Sequence, residues 1–428
     1  MKALSIRWIR SSAVALILTG AAAASLAGDA AKHTPTSWSP SWIASTQPLW
    51  SGNFVLPLGL PFQYSQQTIR QVARLSIGGA RLRVVISNEE STAPLHIGAA
   101  RVARHGDGSA ILKITDRPLF FGGRPEVTVP AGARLVSDPV DLPLPALAEL
   151  AVSLYLPRPS QPAGFHFDAR ETAYMADGDL TGAERLPEEA TQWSTRVYVS
   201  GLIVETPSPP TTVVAFGDSL TDGNGSTPGA NTRWPDALAE RMVGRGVAVL
   251  NAGISGSRLL KDGMGRAGIE RAGRDVFEQP GIKAVVVLLG TNDIGWPGGP
   301  FAAEERAVSA DELIQGFRQL IEMAHAYNVR IVAGTIAPFE NALAGTSLEG
   351  HYSPEKDIVR QAVNRWIRKS GEFDAVVDFD RLLRDPQRPS RLKKAMDSGD
   401  HLHPGDVGYK AMAAAIDLDS LLGKPGQP

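Results

Sequence analysis

Two patterns of apolar and polar residues divide the chain. In the earlier part the period is two. Within TIRQVARLSIGGARLRVVISN, Leu82, Val84 and Ile86 alternate with Arg81, Arg83 and Ser87, as in a strand with one buried face. Gly78 and Gly79 split this stretch into two runs and predict a hairpin between them. GDGS at 106–109 marks another reversal, and EVTVPAGARLVSDPVDLPL and AELAVSLYLPRP continue in the same manner. Many short strands with Gly and Pro turns predict an all-β domain over residues 38–205, a sandwich or jelly-roll-like fold.

The pattern changes after VETPSPPTT, where three prolines fall within four positions. Proline disfavours helix and central strand, so residues 206–212 read as a linker. Beyond it, over 213–422, short apolar runs alternate with amphipathic ones. Residues 213–217, 247–251, 284–289, 329–335 and 375–379 read as strands. RWPDALAERMV, SADELIQGFRQLIEMAHAY and SPEKDIVRQAVNRWIRK read as helices, with Ser309 and Ser353 at the N-cap positions. Apolar strands alternating with helices predict an α/β domain built on a parallel sheet covered on both faces. Such sheets bind ligands at the carboxyl ends of their strands.

Composition narrows the setting. Of 428 residues, 43% are hydrophobic and 21% charged, ordinary for a globular chain with a large core. A formal net charge of -2 gives no case for nucleic acid or an anionic membrane as partner. Lys2, Arg7 and Arg10 flank SAVALILTGAAAASLAG, a short apolar core ending in small residues. Residues 1–27 therefore read as a signal peptide, cleaved after Ala24 or Ala27. Its most apolar part, 13–18, is shorter than the ~20 residues a spanning helix needs. A periplasmic or secreted protein without stable membrane insertion is expected. The absence of cysteine excludes lipoprotein attachment and disulfides.

The strand ends carry the chemistry. The first ends at GDSL with Ser219, the second at NAGISGSR with Gly256, the third at GTND with Asn292. Near the C-terminus DSGDHLHPGDVGY offers Asp400 and His403. A serine hydroxyl needs a base to take its proton and an acid to orient that base. His403 and Asp400, three apart on a turn, suit those roles. A tetrahedral oxyanion needs preorganised donors, which the Ser219 N–H, a close-approaching N–H at Gly256 and the Asn292 amide supply. Each feature alone has a plain reading: Ser219 in a turn, Asn292 and Asp293 as caps, Asp218 and Asp222 as loop-orienting residues.

Other motifs point elsewhere. His401 and His403 with Asp397, Asp400 or Asp406 form a metal-like group, but no second ligand cluster accompanies them, so no metal is expected. GMGRAG at 263–268 matches GxGxxG without following a strand, so no dinucleotide cofactor is expected. Neither a GxSxG elbow nor an HExxH motif is present. Arg258 and Trp296 are candidate substrate contacts, Trp296 equally a core residue. His325 reads as a packed or surface residue, His351 as a loop residue in solvent or on the rim of a substrate cleft, and Trp234 as packing at a helix start. Trp42, Trp50 and Trp193 suit either sugar stacking or a β-sandwich core.

The blocks GDSL, NAGISGSR, GTND and DHLH, in that order, resemble those of the SGNH or GDSL-type serine esterases and lipases. The resemblance covers about Val213 to Leu422. It implies a flavodoxin-like three-layer αβα fold without a cofactor, with Ser219 as nucleophile, His403 as base and Asp400 as its partner. It also implies an oxyanion hole of Ser219, Gly256 and Asn292. In the simplest members the GDSL block lies near the mature N-terminus. The β-rich part ahead of it here resembles the extra domain of a two-domain bacterial secreted subgroup, some members of which act on plant polysaccharides. The expected activity is hydrolysis of short acyl esters, above all O-acetyl groups on carbohydrate. An acyltransferase with the same residues, a lipase for longer chains and an inactive carbohydrate-binding protein are the alternatives.

Overall fold

In the strand Thr211–Gly217 neighbouring residues face different cores. Val214 and Phe216 join Leu250, Ala252, Val285 and Val287 on one side. Val213 and Ala215 join Val249, Ala284, Val286 and Leu288 on the other. A strand apolar on both faces must be covered on both. The computed structural model, which describes residues 36–50 and 52–423, shows how; the expected signal peptide lies outside the described residues.

Five parallel strands lie side by side in the order Val247–Gly253, Thr211–Gly217, Ile282–Leu288, Arg330–Gly334 and Ala375–Val377. In chain order this is 2-1-3-4-5, the flavodoxin-like arrangement. Helices Ala310–Ala326 and Pro354–Lys369 bring Phe317, Leu320, Val363 and Ile367 to the first face. Helices Trp234–Met242 and Asp406–Ala415 bring Trp234, Leu238, Tyr409 and Met412 to the second. Ser309 and Ser353 stand at the N-caps, accepting from the Glu312 and Lys356 N–H groups. Trp234 is fully buried at the start of its helix, with Pro235 in the first turn.

The β-rich half has two large antiparallel sheets and two two-stranded ribbons, Gln47–Pro48 with Gly164–Phe165 and Leu95–Ile97 with Val127–Val129. One large sheet orders Ser37–Ile43, Val199–Thr206, Gly79–Ser87 and Val140–Leu144, with Arg134–Val136 also on Gly79–Ser87. The other orders Thr191–Trp193, Ala173–Asp177, Gln67–Arg74, Glu149–Leu156, Ala99–Arg104 and Arg117–Pro118. Ile69, Val102, Val152 and Leu154 meet Leu82, Val84 and Ile86 in a shared core.

The hairpin expected at Gly78 and Gly79 is not formed. Gln67–Arg74 pairs with Glu149–Leu156 and Ala173–Asp177, whereas Gly79–Ser87 pairs in the opposite sheet. The connection between them buries Leu75, and Ser76 bonds Ser41 through its N–H and its hydroxyl. It is therefore a crossing between sheets. The reversal after GDGS does form, with an antiparallel bridge between His105 and Ile111.

The core of the β-rich half extends into the parallel-sheet half through Met264 and Trp296. At the carboxyl edge of the parallel sheet, Arg271 joins two strand ends. It donates to the carbonyls of Gly217 (2.7 Å) and Ala252 (2.8 Å), to Ser257 Oγ (3.2 Å), and pairs with Asp275 (2.9 Å). Its guanidinium lies 4.3 Å from the Phe216 ring centroid. Losing Arg271 would leave Asp275 with Arg274 alone (2.7 Å) and take a buried charged donor from the Gly217 and Ala252 carbonyls. Arg271→Leu is expected to cost about 3 kcal/mol, read as a lowered urea midpoint with an unchanged m-value.

Candidate active site

Ser219 follows the central strand directly. Gly217 ends the strand, Asp218 turns the chain, and Ser219–Asp222 forms one short helical turn. Asp218 Oδ1 accepts the Leu220 N–H at 3.0 Å. Its Oδ2 is buried without a partner among the described residues. Burial pushes the Asp218 carboxyl up to about 7, against the opposing pull of the Leu220 N–H and the His403 charge.

The C-terminal loop supplies the next two groups. Asp400 Oδ1 accepts the N–H groups of Leu402 (2.9 Å) and His403 (2.8 Å). Its Oδ2 lies 2.6 Å from His403 Nδ1, and His403 Nε2 lies 2.8 Å from Ser219 Oγ. A carboxylate only accepts, so Nδ1 carries the proton and Nε2 is left to accept from the serine hydroxyl. Burial alone would raise the Asp400 carboxyl. The hydrogen bond and charge of His403, with the two backbone N–H groups, instead hold it well below the usual carboxylate range. The loop is anchored by the Leu343 N–H on the Asp400 carbonyl and the Ser398 N–H on the His403 carbonyl.

The neighbouring strand ends are tied together. Asn292 Nδ2 donates to the Ser257 carbonyl at 3.0 Å. Asp293 accepts the N–H groups of Leu259 (2.7 Å) and Leu260 (3.0 Å), so it braces the second loop. Gly256 has φ of +73°, and a Cβ placed there would sit 2.2 Å from Met264 Sδ. Only glycine fits that backbone and that contact. Asp222 Oδ2 accepts the Ser255 N–H (2.9 Å) and hydroxyl (2.7 Å).

Ser219, His403 and Asp400 thus form one hydrogen-bonded chain, with the Asn292 and Gly256 loops linked to each other beside it. Arg258 and Trp296 are differently employed. Arg258 is buried, pairs with Glu305 at 2.9 Å, and bonds the Asp262 carbonyl. Its guanidinium lies 5.0 Å from the centroid of the Trp296 ring, which is itself buried and stacked on Phe301 at 4.6 Å. Of the two readings of Trp296, packing is the one observed, and Arg258 is occupied with its neighbours.

His401 is half-exposed and bonds Asp397 through Nδ1 at 2.6 Å. His325 is part-exposed beside Asp374. His351, expected in solvent or on a cleft rim, is 3% exposed. It sits over Gly295, and burial, with the charges of Lys356 and His403, pushes its imidazole down to about 3. Trp42 and Trp50 are buried core residues, and Trp193 packs near Tyr64 at 6.4 Å; none stands out as an open sugar platform. Among the described residues no group of three or more His, Cys, Asp or Glu could hold a metal. The motifs gave no sign of the Asp222–Ser255 link, of Met264 against Gly256, or of His166, whose Nε2 lies 2.9 Å from Asp222 Oδ1. Each depends on approach through space rather than local spacing.

A hydroxyl bonded to an imidazole that is oriented by a carboxylate, at the carboxyl edge of a doubly wound sheet, is the arrangement of a serine hydrolase. Residues 215–411 match the GDSL-like Lipase/Acylhydrolase family; this domain is of the GDSL type, and the protein is a carboxylic ester hydrolase. No curated protein sequence matches the chain. Among solved structures it is similar to a G-D-S-L family lipolytic protein from Desulfitobacterium hafniense, at 22% identity over 48% of this chain and 97% of that one, TM-score 0.35. The aryl esterase of M. smegmatis is 17% identical over 50% and 100%, TM-score 0.39. A carbohydrate acetylesterase from Sinorhizobium meliloti is 18% identical over 48% and 95%, TM-score 0.37. Among the described residues no helix is long and apolar enough to cross a membrane.

Asp218 offers a pH test. Its carboxyl is raised on folding, so the folded state holds a proton that the unfolded state releases, and stability falls between about pH 4 and pH 7. Asp218→Asn keeps an acceptor for Leu220 without that ionisation. Its melting temperature, measured from pH 4 to 8.5, is expected to gain on the parent's as pH rises and to level off above about pH 7.

Proposed function

We propose that this protein is a secreted serine esterase that removes short acyl groups, chiefly O-acetyl groups of carbohydrate. The observation that carries the catalytic part is the chain from Ser219 Oγ through His403 to Asp400. Ser219 attacks the ester carbonyl while His403 Nε2 takes its proton, and Asp400 steadies the imidazolium. The oxyanion is received by the Ser219 and Gly256 N–H groups and by Asn292. One Asn292 amide hydrogen is spent on Ser257, which fixes the amide plane and leaves the second for the oxyanion. His403 then returns its proton to the departing alcohol. Water repeats the sequence on the acyl-enzyme and releases the acid.

Short acyl groups are favoured because the nearby space is occupied. Ser219 is 5% and His403 7% exposed. Met264 fills the space at Gly256, and the His351 ring covers Gly295. Secretion is supported by the basic, apolar and small-residue series of 1–27, and carbohydrate as the alcohol side by the two-domain resemblance.

Ser219→Ala and His403→Ala are expected to lower kcat about 10⁴-fold or more, with circular dichroism and melting temperature preserved. Asn292→Ala is expected to lower kcat about 10²- to 10³-fold. On 4-nitrophenyl esters from acetate to palmitate, hydrolysis is expected for acetate and butyrate alone. Equal rates on palmitate would replace this reading with a lipase, and acyl products with an added alcohol would replace it with an acyltransferase.

A further inference from the structure

We infer that the β-rich half completes the catalytic apparatus: its His166, acting through Asp222 and Ser255, is a positioning residue that holds the Gly256 loop where the oxyanion forms. This rests on the reading of Ser219 and Gly256 given above.

His166 is buried and its backbone is fixed, with reciprocal hydrogen bonds to Arg196 at 2.9 Å each. Its ring bridges the two halves. Nδ1 lies 3.0 Å from the Ser45 carbonyl and Nε2 lies 2.9 Å from Asp222 Oδ1. A carbonyl accepts only, as does a carboxylate, so both ring nitrogens donate and the pair is an imidazolium against an aspartate. Burial opposes that charge, but Asp222's charge and hydrogen bond outweigh it and raise the imidazole above its ordinary value.

Asp222 lies three residues beyond Ser219 and spends its other oxygen, Oδ2, on the Ser255 N–H and hydroxyl. One carboxylate therefore links the serine turn, the loop before Gly256 and the β-rich half. The fit is close: a Cβ on Gly253 would stand 2.2 Å from the Asp222 nitrogen. With all these partners fixed, the 253–256 backbone has little freedom left.

A second grip reaches the same loop independently. The Met264 side chain occupies the space beside Gly256. Its carbonyl accepts from Trp50 Nε1 at 2.8 Å and from Gln47 Nε2. Gln47 pairs with Phe165 across a two-stranded ribbon, and His166 follows Phe165 directly, so neighbouring residues bring both side chains to the site. No atom of this ribbon is required to touch substrate; its part is to fix where the Gly256 N–H points.

The test uses the full chain with His166→Gln, Ser255→Ala and Gln47→Leu, the last two preserving the His166–Asp222 pair if the first fails to fold. Steady-state rates on 4-nitrophenyl acetate are measured beside the inhibition constant of an aryl trifluoromethyl ketone, which forms a tetrahedral oxyanion on a reactive serine. Expected is a loss of kcat of about tenfold to a hundredfold with KM within twofold, and a parallel loss of inhibitor affinity. Wild-type kcat and inhibitor affinity in folded His166→Gln, or in both Ser255→Ala and Gln47→Leu, would overturn the inference while an inactive Ser219→Ala keeps the esterase reading. A loss confined to the fraction of folded protein, or to KM, would also overturn it. An active Ser219→Ala would overturn the reading beneath it.

Discussion

A parallel sheet leaves carbonyls at its carboxyl edge without strand partners, and here a single guanidinium takes two of them. Arg271 bonds the last carbonyl of the central strand and one near the end of its neighbour, then reaches Ser257 on the loop beyond. Buried polar groups must be paired, or the cost is large. The same requirement spaces the loops that follow. Ser219 leaves one strand end and Gly256 the other, so their separation is set by side-chain hydrogen bonds beneath them. Asp293 and Asn292 extend the arrangement to the third strand end.

Two carboxyl groups flank the serine in opposite environments. Asp218 has one oxygen without a partner and burial favours its neutral form. Asp400 accepts from two backbone N–H groups and an imidazole, and stays ionised. The carboxyl held firmly ionised is thus the one on the side of His403 away from the serine. A charge at Asp218 would instead lie beside the hydroxyl. Environment, rather than residue type, separates the two acids.

Much of this was legible in the sequence because it is local. The apolar runs ending in GDSL, NAGISGSR and GTND located three strand ends, and Ser309 and Ser353 marked two helix starts. The Asp400–His403 contact spans three residues and needs only a turn. What failed depends on pairing at a distance. Period-two alternation identifies a strand but not its sheet, so Gln67–Arg74 and Gly79–Ser87 were expected as a hairpin although each has partners elsewhere. A loop position did not reveal that His351 packs over Gly295. Proximity to motifs drew attention to Arg258 and Trp296 but did not show that they face each other. Nothing near His166 in sequence announces Asp222.

The ribbon of Gln47 and Phe165, with His166 next in the chain, also bears on how the molecule holds together in time. The bonds from Gln47 to Met264 and from His166 to Asp222 span 217 and 56 residues. Closing such long loops is slow, though each doubling of length adds only about 0.6 kcal/mol of entropy. Residues from Thr36 onward cluster as one compact unit despite their two architectures. Contacts at Met264, Trp296 and Asp222 tie the two halves together at separate points. Heating is therefore expected to dismantle sandwich and parallel sheet together, and a cut at the 207–210 prolines is expected to release no half that works alone.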